Sequence, residues 1–430
     1  MIKCWEKILT SSLVLLLLFL LPQVGNAASP LDLVTSEGEV IPYDGYDTAF
    51  SSPSQIGYQN TGSQERVPLF ENVTPADGLA IQARTILGTD DRQPVMNTTV
   101  FPYSAVVFIV ATYANGSSYV GTGTMISPDA VLTAGHMIFD PNLKQWPQTV
   151  SVYPAINGTV APFGHTTASK LLALAGWTED LSSKHDLGII RLTEPLGVKT
   201  GWFGLTSEID PTQKLYTAGY PTDKPRQTMW QTTGTIKSMT ETNVYYDLDT
   251  YPGQSGSGVY NVNDQIMVVH AYSQDKQNFG TRLAPSVLNW IQTDLANVNS
   301  IYRLYDPNNG EHFYTKDSNE VNTLQRLGWS YEGLAWFAPA QGQAVYRLYN
   351  PNSGDHHYTT SSGERAALVQ AGWRAEGVSW EASPANGTAT YRLYNPNAKT
   401  GTHHYTVNLA ERNHLIKLGW RDEGIAWYNL

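Results

Sequence analysis

AVVFIVATYANGSSYVGTGTMI, residues Ala105 to Ile126, decides the fold. Two runs rich in Val, Ile, Thr and Tyr flank Asn115-Gly116, the dipeptide that most favours a two-residue hairpin turn. Further short β-type runs follow: AVLTAGH (from Ala130), DLGIIRL (from Asp186), KLYTAGY (from Lys214), NVYYDLD (from Asn243) and IMVVHAY (from Ile266). Many short strands at regular spacing predict an all-β barrel or sandwich over about residues 100–283. SVLNWIQTDLANV then places Val287, Leu288, Ile291 and Leu295 at helical spacing, a terminal amphipathic helix.

Composition narrows the setting. The chain has 430 residues, enough for two or three domains. It begins with a basic region (Lys3, Lys7), an apolar core (Leu13 to Leu21) and a small-residue site, Gly25-Asn26-Ala27. This is the pattern of a secretory signal over residues 1–27, and its apolar core is short for a membrane span. Secretion to the outside of the cell is therefore expected, with no membrane span after signal removal. The single cysteine, Cys4, lies inside that signal, which excludes disulfides, a thiol nucleophile and a Cys-ligated metal from the mature protein. A net charge of −11 without a basic patch argues against nucleic acid as a partner. Residues 28–84 lack sustained periodicity and read as a disordered linker or a pro-segment. Ala83-Arg84 would be the processing site, just before Thr85-Ile86-Leu87-Gly88.

Three motifs carry chemistry. Thr133-Ala134-Gly135-His136 ends one strand, Lys184-His185-Asp186 starts another, and DTYPGQSGSGVY (Asp249 to Tyr260) sets Ser255 among small residues. Any one of them is weak. Their order, His136 then Asp186 then Ser255, is that of the chymotrypsin-like arrangement. In it Ser255 attacks a carbonyl, His136 relays the proton and Asp186 fixes the imidazole. The backbone N–H groups of Gly253 and Ser255 would meet the oxyanion. No cofactor or metal is needed. His185 is a rival to His136, and His165 reads as structural.

Residues 85–297 resemble the glutamyl endopeptidases, the bacterial branch of the chymotrypsin-like serine proteases. TILGTDDRQPVMNTTVFPY resembles the mature start of the Bacillus-type enzymes, and LTAGH, HDLGIIRL, AGYP and DTYPGQSGSGVY fall in the family's order. Pro252 and Gly258 stand where the family pattern has Gly and Pro. The resemblance implies a double β-barrel over 85–298 and an endopeptidase acting on proteins or peptides, cutting after Glu and less well after Asp. It carries Thr250 and His270 onto pocket positions and gives the new amino group of Thr85 a part in binding the substrate carboxylate. Ser273 could add a hydroxyl. Asp249, six residues before Ser255, supports the opposite reading, a trypsin-like preference for Lys or Arg.

The last 130 residues repeat three times, over 301–344, 345–389 and 390–430: YRLYDPNNGEHFYT, YRLYNPNSGDHHYT and YRLYNPNAKTGTHHYT each lead into a helical stretch. They resemble a tandem repeat of secreted bacterial proteins. A closed, β-rich, pseudo-threefold module with one helix per repeat is expected. The paired histidines His356-His357 and His403-His404 tempt a metal reading, but neighbouring strand residues point apart. The recurring Tyr and Trp suit a core, or else stacking on sugars in a cell-wall or glycan ligand. A catalytically idle binding protein is the alternative from another class.

Overall fold

The computed structural model describes residues 29–43, 50–57, 64–76, 86–274, 277–383 and 387–429. The expected signal and the Arg84–Thr85 junction lie outside them. Two closed barrels occupy the centre. The first consists of β1 (Val106–Thr112), β2 (Ser118–Ser127), β3 (Ala130–Thr133), β4 (Thr149–Pro154), β5 (Thr166–Leu174) and β6 (Gly188–Leu192). They hydrogen-bond in the order β6-β3-β2-β1-β4-β5, and pairing of β5 with β6 closes the ring. The hairpin read from the sequence is β1–β2, running from Val106 opposite Thr124 to Thr112 opposite Ser118. Gly116 takes a positive φ of 83° in its turn.

The second barrel consists of β7 (Lys214–Gly219), β8 (Trp230–Met239), β9 (Asn243–Tyr246), β10 (Gly258–Tyr260), β11 (Gln265–Gln274) and β12 (Gln277–Arg282). Its order is β11-β10-β7-β8-β9-β12, closed by β11 with β12. Val107, Ile109, Val131, Leu132, Ile189 and Ile190 of the first barrel are buried in one apolar cluster, and Leu215, Val244, Val259, Met267 and Val268 of the second in another. The helix expected from periodicity spans Pro285–Asn297.

The described residues between 29 and 76 do not form a loose linker. Leu33–Thr35 adds antiparallel to the end of β5, Glu65–Arg66 pairs with Val160–Ala161, and Thr74–Pro75 runs parallel to Tyr119–Val120.

The repeats form three three-stranded sheets, each with one helix: Ser318–Arg326, Ser362–Gln370 and Leu409–Lys417. Asp317, Ser361 and Asn408 cap the helices by accepting backbone N–H bonds. Trp336, Trp380 and Trp427 meet edge to face, with centroids 5.8–6.0 Å apart. Around them Tyr314, Tyr358 and Tyr405 close a ring of six hydrogen bonds. Each hydroxyl donates to a neighbour's carbonyl at 2.8 Å and accepts that neighbour's N–H.

The module sits on the first barrel. Val198 is buried with Tyr302, Leu304, Phe313 and Val321, and Ser300 donates to Asp129, which also pairs with Arg191. The boundary expected at 298–301 falls within one strand, Val298–Tyr305.

Candidate active site

β3 ends at Thr133, and the chain enters a 3₁₀ turn, Gly135–Met137, that delivers His136 into the cleft between the barrels. Asp186 lies two residues ahead of β6, whose Gly188 pairs with Thr133. The pairing of two neighbouring strands therefore brings residues fifty apart in sequence together. Ser255 comes from the second barrel, in the loop before β10. Thr122 of β2 braces that loop: its N–H donates to the Ser255 carbonyl at 2.8 Å, and its hydroxyl to the Gly253 carbonyl at 2.8 Å.

The three side chains are buried and in line. His136 Nδ1 lies 2.6 Å from Asp186 Oδ2, and Nε2 lies 2.7 Å from Ser255 Oγ. The His136 backbone N–H also donates to Asp186 Oδ1 at 2.8 Å. With an ionised Asp186, Nδ1 carries the proton, which leaves Nε2 to accept from the Ser255 hydroxyl. Burial opposes that ionisation. The charge and two hydrogen bonds of His136, with the hydroxyl of Tyr272, outweigh it and hold the Asp186 carboxyl below its usual range. A base positioned on a serine hydroxyl and oriented by a carboxylate can generate a nucleophile and return its proton to a leaving amine.

Tyr272 is the residue the sequence reading missed. It lies on β11, 5% exposed, and donates to Asp186 Oδ2. Its ring stands 5.8 Å from that of His136. The β11–β12 register slips between His270 and Tyr272, a bulge of the kind that re-aims side chains beside active sites. His185, the rival base, turns its ring against Gly176. His165 stacks on Tyr153 at 5.0 Å and pairs with Glu65.

Of the residues that the resemblance assigns to the pocket, His270 is bonded through its backbone to the turn that carries Ser255. Thr250, His270 and Ser273 are all buried, and Tyr246 hydrogen-bonds His270 Nδ1 at 2.7 Å. The strand carrying His270 accepts the Gly256 N–H and donates to the Ser257 carbonyl. Asp249 is turned elsewhere. Its two oxygens accept the backbone N–H groups of Leu87 at 2.6 Å and Asp91 at 3.1 Å. Burial, then the charges of Asp91 and Asp90, raise its carboxyl above the usual range against the pull of those donors. Thr85 lies outside the described residues.

Comparison with known proteins places this cleft. The family described as trypsin-like peptidase domain matches residues 121–268. The glutamyl endopeptidase of Bacillus licheniformis is 32% identical over 268 residues, covering 58% of this chain and 79% of that one. The chain is a serine endopeptidase of the glutamyl endopeptidase family.

An "Extracellular metalloprotease" of Bacillus subtilis is also 32% identical, over 62% of this chain and 88% of its own. Among the described residues of this endopeptidase no group of three or more His, Cys, Asp or Glu is arranged to hold a metal. A solved structure titled "Structure of Glu endopeptidase in complex with MPD" is 28% identical, with a TM-score of 0.46, over 49% of this chain and all of that one. Residues 300–430 match "Domain of unknown function (DUF5648)". There the paired histidines face different neighbours. His357 meets His403 at 4.6 Å and His404 meets His312 at 4.5 Å, across the seams between repeats. Burial and the facing imidazole push His312 and His403 down to about 3.

Proposed function

We propose that this serine endopeptidase cuts after Glu, less well after Asp, with Ser255 as nucleophile, His136 as general base and then acid, and Asp186 as the group that orients and stabilises the imidazolium. Ser255 Oγ adds to the scissile carbonyl while its proton passes to His136 Nε2. The N–H groups of Gly253 and Ser255 receive the oxyanion, and the proton moves to the leaving amine as the acyl-enzyme forms. Water, activated by the same His136, releases the acid.

The observation that carries the Glu reading is the placement of Asp249. A Lys or Arg pocket needs a carboxylate facing the substrate, but both Asp249 oxygens are taken up by the segment at 87–91. Around the pocket stand instead His270, held by Tyr246, and Thr250, whose buried hydroxyl has no hydrogen-bond partner among the described residues. Burying a substrate carboxylate requires such donors. Ser273 and the amino group of Thr85 are assigned supporting parts. The protein is made with a signal over residues 1–27, exported, and activated by cleavage after Arg84. The repeats hold it to a cell-wall or glycan surface.

Matched peptides with Glu, Gln, Asp or Lys before the scissile bond test the pocket in wild type and His270→Ala. Glu should be preferred over Gln in the wild type, and the preference should collapse in the variant. Preference for Lys, or Glu-over-Gln discrimination untouched by His270→Ala, would overturn it.

A further inference from the structure

We propose that residues 29–76 remain bound after the chain is cut at Arg84, so that the mature enzyme is a two-chain complex in which the former pro-segment is a permanent strap. The inference rests on the proposed processing site but goes beyond it, because removal of a pro-segment ordinarily means its departure.

The barrels are shaped to receive this strap. Gly204 approaches it so closely that a Cβ there would stand 2.3 Å from the Ser52 carbonyl oxygen. On the strap, a Cβ on Gly57 would stand 2.3 Å from the Gly201 nitrogen. Backbones meeting at that range accept no side chain on either side, which is why glycine occupies both positions. Ser52 inserts at this point. Its hydroxyl accepts the Leu205 N–H at 2.9 Å, and its carbonyl accepts from the Gln265 side chain at 2.9 Å. Ser51 bonds Thr206, and the Phe50 N–H donates to Ser207.

A second anchor uses backbone strain. Gln227 holds a positive φ of 58°, uncommon for a residue with a side chain, and is 5% exposed. Its amide oxygen accepts the Phe70 N–H at 2.7 Å, and Arg226 donates to the Phe70 carbonyl. Strained conformations persist where surrounding contacts over-determine them, and here some of those contacts belong to the strap.

The strap also contributes to the core. Leu33, Val67 and Ala76 are buried, and Phe70 packs on Phe108 and Tyr153. Its three described runs, of 15, 8 and 13 residues, touch both barrels, and Gln55 reaches Asn319 of the first repeat. Its attachments are spread over all three described runs rather than confined to one point.

Native gel filtration of the processed enzyme, followed by intact mass measurement of the peak, tests this. A fragment ending at Arg84 should co-elute one-to-one with the chain starting at Thr85, and should separate only in denaturant. Returned to the separated enzyme, the wild-type fragment should rebind. A fragment carrying Gly57→Val should rebind at least about tenfold more weakly. Because Gly57 lies outside the mature chain, that variant leaves the enzyme itself unaltered. Elution of the mature chain alone without denaturant, or equal rebinding by both fragments, overturns the proposal. A single uncut chain on a denaturing gel sinks the processing step instead. A protease site inserted between residues 77 and 85 then nicks the chain, and the same elution result decides the strap.

Discussion

Replacing Tyr272 with Phe removes one hydroxyl and keeps the ring. The lost bond is a neutral donor to a buried carboxylate, a class worth roughly 1.5–3 kcal/mol. The loss would raise the Asp186 carboxyl, since one of the donors that hold it down is gone. The effect is shared, because a carboxylate with one donor fewer holds the imidazolium of His136 more tightly. The acid limb of kcat/KM should therefore move to higher pH, with KM little changed. Stability gives an independent readout. The folded Asp186 carboxyl lies below its ordinary value of 3.8, so its contribution is present above that value and is lost as pH falls through the folded pKa. Denaturant unfolding in a Ser255→Ala background, which cannot digest itself, should therefore show Tyr272→Phe weaker at pH 7 by roughly 1.5–3 kcal/mol. The gap should narrow below pH 4. A gap of constant size down to pH 3 would mean lost packing rather than a lost carboxylate bond, and superimposable pH–rate profiles would refute the linkage to His136.

Other perturbations probe separate links. Ser255→Ala should cost on the order of 10⁶ in kcat, measured against titrated wild type, while folding is preserved. Gly253→Ala should be inactive and destabilised by at least ~1–3 kcal/mol in thermal unfolding, because its φ is 99° and the new Cβ would stand 2.4 Å from the Tyr220 carbonyl oxygen. Tyr358→Phe leaves the Tyr314 N–H and carbonyl without their ring partner, at about 1–3 kcal/mol for each buried group. Calorimetry should show the repeats melting first. Val198→Asp puts a charge into the apolar contact with Tyr302, Leu304, Phe313 and Val321. Small-angle scattering should report an extended particle whose kcat/KM on short peptides is unchanged.

The parts legible in the sequence were those written in local signals. Asn115-Gly116 announced its hairpin because the position that Gly116 fills, with its positive φ, restricts residue choice. His136, Asp186 and Ser255 were legible from their order and flanking residues. The three repeats announced themselves by self-similarity. Tyr272 was hidden because its partner lies 86 residues away and a register slip, which no pattern of alternation encodes, accompanies its approach. The strap was hidden for a related reason. Its strands are two or three residues long and exist only through their partners, so a chain with little periodicity reads as a linker. Asp249 illustrates a further limit. Its spacing from Ser255 fits a cation-binding role, and only the arrival of Leu87 and Asp91 shows where its charge is spent.

The tyrosine ring treats its three repeats alike, yet the chain does not. Where the first repeat has Phe313 and Val321 against the barrel, the second has His357 and Arg365, and the third His404 and Arg412. Arg365 and Arg412 instead lie over Tyr346 and Tyr391, at 5.0 and 4.3 Å. Closure and berth are thus encoded by different residues of the same unit. A gene rearranged so that the first repeat came last would still close its circle, since every hydroxyl would find the same neighbour. It would present the barrel with arginine where valine belongs, and the module would lose its mooring without losing its shape.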